Sequence, residues 1–167
     1  ISLFTNFKTD KRNFNIVATN NIIVLTFTYI KYLCFIMAGY KQLKLVIVED
    51  EWVISLYIKN IIQNHFENII ICEECQSVDA AVKAINKHLP DIVLFDVELL
   101  DGDCFDVISK VENSNFQKLF ITSYSEYALK AIKLHAVDYH LKPINEKELV
   151  ASIKRCIENL ERDEIVR

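Results

Sequence analysis

Short runs of β-branched residues alternate along most of the chain with longer segments whose apolar positions recur every three or four residues. Leu43–Val48 (LKLVIV) fits a buried strand. In Glu51–Phe66, Ile54, Ile58, Ile61 and Ile62 fall on one helical stripe. Ile69–Cys72 (IIIC) predicts a second strand. Ser77 stands where a cap is needed for a helix with the stripe Val78, Ala81, Val82, Ile85 and Leu89, and Pro90 ends it. Ile92–Phe95 (IVLF) predicts the third strand and Phe105–Val111 the third helix. Leu119–Ile121 follows as a strand, then Glu126–Leu134 as a helix capped by Ser125. Tyr139–Leu141 is a short fifth strand interrupted by His140. The last helix has Asn145 as N-cap and Glu148 three residues on, close to a capping box, with the stripe Leu149, Ile153, Cys156, Ile157 and Leu160.

Five strand–helix units predict an α/β domain built on a doubly wound parallel sheet, because right-handed crossovers put helices on both faces. Such sheets bind ligands beyond the carboxyl ends of their strands. The polar residues at those ends are therefore the candidates for chemistry.

Composition narrows the class. Of 167 residues 51% are hydrophobic and 25% charged, which is globular, and two glycines and two prolines exclude loop-rich or collagen-like chains. A net charge of −4 offers no basic patch for nucleic-acid phosphates, so these residues are not expected to touch DNA. Residues 1–36 differ from the rest: they hold no glutamate, and Lys8, Lys11, Arg12 and Lys31 against Asp10 give them +3, leaving −7 elsewhere. Met37, the one methionine, is the expected start, with residues 1–36 a disordered, non-native upstream extension and residues 37–167 the folded domain. The rival reading is a weak membrane anchor at Ile22–Ile36, but Lys31 breaks that run and it falls short of the ~20 residues that span a bilayer. It also lacks a signal-peptide cleavage site. No membrane association is expected. Cys72 and Cys75 have CxxC spacing, yet they fall in or at the end of a strand rather than opening a helix, and no second ligand pair accompanies them. They read as reduced cysteines of a cytoplasmic protein.

Glu49, Asp50 and Glu51 follow the first strand, Asp96 follows the third, Thr122 and Ser123 end the fourth, and Lys142 and Pro143 follow the fifth. Carboxylates at adjacent strand ends repel one another unless a cation lies among them. Hard oxygen ligands suit Mg²⁺. A lysine and a hydroxyl facing an aspartate are what a phosphoryl group on that aspartate would need.

Residues 43–161 resemble the receiver domain of two-component response regulators. The resemblance rests on four motifs in order: VIVEDE at strand one, LFDVELLDG at strand three, ITS at strand four and DYHLKPI at strand five. The segment ITSYSEYALKAIKLHAVDYHLKPI is most similar to receivers that precede LytTR-type DNA-binding domains. The resemblance implies a flavodoxin-like (βα)5 fold with strand order 2-1-3-4-5 and Asp96 as phosphoacceptor for a sensor histidine kinase. It implies Mg²⁺ held by Asp50, Asp96 and the backbone carbonyl of Glu98, with Glu49 acting through water. Thr122 and Lys142 would hold the phosphoryl oxygens, Thr122 and Tyr139 would form the switch, and the bond before Pro143 would be cis. The signal would leave through the fourth helix, fifth strand and fifth helix, a face that also serves homodimers. DNA would be reached only through an output domain beyond Arg167, so the chain reads as a stand-alone receiver or as one cut before that domain.

Several residues carry blander readings. Glu51 reads as a solvated first-turn residue favoured by the helix dipole rather than a ligand. Tyr139 by itself reads as half-buried strand filler. The four histidines have no metal spacing and take no role. Glu98 and Tyr124 lie two beyond Asp96 and Thr122, where the family tunes phosphate lifetime. The loop after Asp96 departs from the family, with Leu100 and Cys104 in place of proline and glycine. Leu100 lacks a fixed φ, Cys104 would be strained at positive φ, and Gly102 is expected to take over the turn. Two other classes remain open: a pseudo-receiver that only binds partners, and a haloacid-dehalogenase-type phosphatase. The phosphatase class needs a DxD pair after its first strand, whereas Asp96 lies on the third with Glu98 at +2.

Overall fold

The computed structural model describes residues 41–165. Strands β1 (Leu43–Val48), β2 (Ile69–Cys75), β3 (Ile92–Phe95), β4 (Gln117–Thr122) and β5 (Asp138–Leu141) alternate with helices α1 (Trp52–His65), α2 (Val78–His88), α3 (Cys104–Lys110), α4 (Ala128–Lys133) and α5 (Glu146–Ile165). The sheet runs β2-β1-β3-β4-β5 and every pair is parallel, as the alternating pattern and the resemblance together predict. The expectations for residues 1–36, for the Ile22–Ile36 run and for Met37 lie outside the described residues. Among those described, no helix is long and apolar enough to cross a membrane.

Because side chains alternate across a strand, the sheet feeds two cores. Val46, Val48, Val93, Phe95 and Phe120 pack with Ala81, Ala84 and Ile85 of α2, Phe105 and Val107 of α3, and Ala131 of α4. Leu45, Ile47, Ile92, Leu94, Leu119 and Ile121 face the other way, against Ile58, Ile61 and Ile62 of α1 and Leu149, Ile153 and Cys156 of α5. Burial on both faces explains why β3 reads as four consecutive apolar residues. The β1–β2 register slips between Leu45 and Val46, so that Ile71 and Glu73 face successive residues and Cys72 is the extra one. Positions three apart would normally face opposite sides, but with this bulge Cys72 and Cys75 both pack on the α2 side.

The differences from the sequence pattern lie at element ends: β2 runs on to Cys75, β4 starts at Gln117, and some helix ends differ as well. Ser77 caps α2 as expected, its hydroxyl accepting the N–H of Ala80 at 3.3 Å. Leu89, placed on the α2 stripe by spacing, is instead the left-handed C-cap (φ 48°) and 63% exposed. Ser125 does not cap α4; it supplies only a backbone carbonyl to Ala128 N, and the helix starts two residues later than the pattern predicts, after Tyr127. Asn145 does cap α5: its Oδ1 accepts from Lys147 N and Glu148 N at 3.1 and 3.4 Å, and its amide donates to Glu148 Oε1 at 3.1 Å.

Candidate functional site

Backbone pairing brings the strand ends together. Asp96 N–H donates to Val48 O, Glu49 N–H to Cys75 O and Lys142 N–H to Thr122 O, each at 2.8 Å. Lys142 spans the result. Its Nζ donates to Asp96 Oδ2 at 2.6 Å, to Glu49 Oε1 at 2.9 Å and to Glu51 Oε1 at 3.2 Å. Asp96 Oδ1 accepts the N–H of Val97 at 2.6 Å. Glu49, Asp96 and Thr122 are all buried, whereas Glu51 is open to solvent. The peptide bond between Lys142 and Pro143 is cis.

Burial pushes the Glu49 carboxyl above the usual carboxylate range, with the charge of Asp96 adding to it and the hydrogen bond from Lys142 opposing. Burial works against the Lys142 ammonium, but its bonds to Asp96 and Glu49 outweigh that and hold its pKa above the ordinary lysine value. Two buried oxygens here have no hydrogen-bond partner, Glu49 Oε2 and Thr122 Oγ1. An unpaired buried acceptor costs roughly 1–3 kcal/mol, so both atoms are open to a bound group that supplies a donor or a cation. Carboxylate oxygens of Glu49, Glu51 and Asp96 converge within 4.8 Å of one another. An all-oxygen set with spare buried lone pairs fits Mg²⁺, and an unpartnered threonine hydroxyl at the neighbouring strand end suits a phosphoryl oxygen.

The loop after Asp96 is held by means other than proline. Glu98–Leu99 and Gly102–Asp103 pair as a small antiparallel hairpin, and Asp101 at its tip accepts the N–H groups of Val78 and Asp79 at 2.5 and 3.4 Å. Cys104 is fully buried as the first residue of α3 and is not among the residues with positive φ, so the feared strain does not arise. Gly102 matters sterically: a Cβ there would lie 2.9 Å from Asp106 Oδ2 and 3.0 Å from Val78 Cγ2. At the mouth, Tyr124 donates its hydroxyl to Glu98 Oε2, which raises the pKa of that hydroxyl. Tyr139 donates its own hydroxyl to the carbonyl of Tyr124, and its ring stacks on Phe120 at 6.0 Å. Burial pushes the Tyr139 hydroxyl up to about 12.

Of the residues singled out from sequence, Glu49, Asp96, Thr122 and Lys142 meet at this site. Glu98 and Tyr139 border it through Tyr124. Asp50 is half-buried beside it and is not one of the three converging carboxylates. Sequence reasoning missed two residues. Glu51 reads as solvated from sequence and is solvated, yet it is the third acceptor of Lys142. Asp101 has no signal in the local pattern, yet its carboxylate holds the N-terminus of α2, where negative charge is favoured.

A flavodoxin-like sheet with buried carboxylates, a lysine and an unpaired hydroxyl at its strand ends defines the class of this domain. Residues 45–154 match the family described as the response regulator receiver domain. The chain belongs to that family and is a receiver domain of the kind found in two-component response regulators. It is similar to the sensory transduction protein LytT of Bacillus anthracis, 33% identical with 68% of this chain and 47% of that protein covered. It is also similar to the transcriptional regulatory protein BtsR of Salmonella typhi, 28% identical with 74% and 52% covered. Among solved structures, the REC domain of AraT, a response regulator from Geobacillus stearothermophilus, shares 28% identity at a TM-score of 0.65, covering 74% of this chain and 98% of that one. The chain spans about half the length of these curated relatives.

Proposed function

We propose that this receiver is a phosphorylation switch in which Asp96 accepts a phosphoryl group from a sensor histidine kinase. The observation that carries the reading is the pairing of Asp96 with Lys142 at 2.6 Å, together with a buried, unpartnered Thr122 hydroxyl at the end of the neighbouring strand. An Asp96 carboxylate oxygen attacks phosphorus in line. The new O–P bond forms as the P–N bond to the donor imidazole breaks, and the imidazole keeps the electron pair and takes up a proton. Lys142 offsets charge on the equatorial oxygens, and bound Mg²⁺ supplies further charge neutralisation there. Asp50, Asp96 and the Glu98 carbonyl are the ligands that the family pattern assigns, with Glu49 acting through water.

The acyl phosphate carries roughly −1.5 to −2 charges where the Asp96 carboxylate carried one, so the site gains up to about one negative charge and three acceptor oxygens. Thr122 turns its free hydroxyl to the new oxygens, Tyr139 leaves the Tyr124 carbonyl, and the α4–β5–α5 face shifts its population toward the signalling state. Leu129, Ile132 and Leu141 are exposed on that face and support its use by a second copy or an output partner. Any contact with DNA is made by an output domain and not by these residues. The action is cytoplasmic and the protein is a switch first, its catalysis limited to its own phosphotransfer and dephosphorylation.

Incubation with Mg²⁺ and acetyl phosphate, followed by intact mass measurement, tests this. The wild type gains one phosphoryl group and Asp96→Asn gains none. A folded wild type with no adduct would make the domain a pseudo-receiver, and rapid turnover of many phosphomonoesters would make it a phosphatase.

A further inference from the structure

Lys142 has three N–H donors and places each on a carboxylate, so its ammonium is saturated. All three acceptors lie in the converging cluster, but the family pattern assigns the cation to Asp96 and, through water, to Glu49, and not to Glu51. Two cations cannot share those oxygens at full strength, because like charges a few ångströms apart repel. Lys142 has to yield when a divalent cation takes them. It cannot travel far: its backbone is fastened to Thr122 and its side chain is only 10% exposed. Of its three present carboxylate acceptors, Glu51 is the one left.

Glu51 suits that part. It occupies the N-cap position of α1 and uses backbone, not side chain, to start the helix: its carbonyl accepts from Ile54 and Ser55 at 3.0 Å, and the cap has no side-chain bond. Its carboxylate is therefore spare, and at 63% exposure it can follow the ammonium with little desolvation cost. Glu49 shows the contrast, being fixed and buried with one oxygen still unpaired.

We propose that Glu51 is a positioning residue, the berth that keeps the Lys142 ammonium beside Asp96 when a divalent cation displaces it from Glu49 and Asp96. The proposal rests on the reading above that the site takes such a cation. Glu51 acts through Lys142 and is not itself a ligand. Without the berth, the ammonium falls back on Glu49 and Asp96 and competes harder for them.

Calorimetric Mg²⁺ titration of the full chain, as wild type, Glu51→Gln, Lys142→Met and the double variant, tests this. Glu51→Gln weakens Mg²⁺ binding about fivefold, within the range of coupled neighbours, and Lys142→Met tightens it. Once Lys142 is gone, Glu51→Gln has no further effect. Equal losses with and without Lys142 would make Glu51 a ligand or a general source of field and overturn the proposal, as would no loss at all. A wild type that binds no Mg²⁺ would remove the cation reading itself, a different failure. If Lys142→Met does not fold, the ¹⁵Nζ signal of Lys142 in Mg²⁺-saturated protein decides. It stays protected in the wild type and collapses by exchange with water in Glu51→Gln; equal protection in both would overturn the proposal.

Discussion

Asp101 Oδ1 accepts the N–H of Val78 at 2.5 Å, which fastens the loop that follows β3 to the first turn of α2. The bond joins positions 23 apart and satisfies a helix N-terminal donor that would otherwise lack a partner. Asp101→Ala is expected to cost about 1 kcal/mol of stability in urea denaturation, the usual worth of such a cap. Amide exchange across residues 98–103 should quicken as well. An unchanged midpoint together with unchanged exchange would show that the loop is held by something else.

Phe120 sits at the centre of an aromatic stack, with Phe95, Phe105 and Tyr139 at centroid distances of 5.6, 6.0 and 6.0 Å. Phe120→Ala is expected to lose roughly 3–5 kcal/mol, as large-to-small changes in packed cores do. Chemical denaturation measures it, and a loss below ~1 kcal/mol would mean that the stack collapses to fill the gap.

Asp138 accepts from Ser152 Oγ at 2.6 Å, from its neighbour Tyr139 N at 2.9 Å and from Arg155, with His140 close by. Burial alone would raise its pKa, but these hydrogen bonds and charges prevail and hold it below the usual aspartate value. A carboxyl with a depressed folded pKa stabilises above the unfolded pKa, and that stability fades as pH falls through the folded value. Asp138→Asn should therefore be less stable than wild type at pH 7, with the gap closing in acid below the ordinary aspartate range. Parallel stability curves from pH 7 down to pH 2 would contradict this.

Burial pushes the thiols of Cys75 and Cys156 up to about 12 and that of Cys104 higher still. Thiolate is the reactive form. In native protein at pH 8 these three cysteines should resist iodoacetamide, and in urea all three should react. Peptide mapping after a timed pulse checks each site, and fast native labelling of Cys75 would rule out the packing described for β2.

Leu129 and Ile132 on α4 are 74% and 65% exposed. Replacing both with serine should change stability by no more than about 0.5 kcal/mol each, as for surface positions. The same change should weaken self-association of the phosphorylated protein in sedimentation velocity. Undiminished association would move the contact to another face.

The order of strands and helices is set by the local sequence, because the two periods involved, 2 and 3.6, follow from how Cβ directions alternate or rotate along a local backbone. For the same reason Asp96, Glu49, Thr122 and Lys142 could be picked out, since parallel α/β sheets gather strand ends at one edge. Where local signals competed, reading them singly misled: Leu89 fits the α2 stripe but closes the helix in a left-handed turn, and Ser125 has cap chemistry without the position for it. Tertiary structure alone decided that Glu51 joins Lys142 across 91 positions, that Asp101 ties down a loop lacking its proline, and that a bulge turns Cys72 and Cys75 to one side. Each depends on strand register or on the direction of a single side chain, and these are set by long-range pairing that no local window of residues contains.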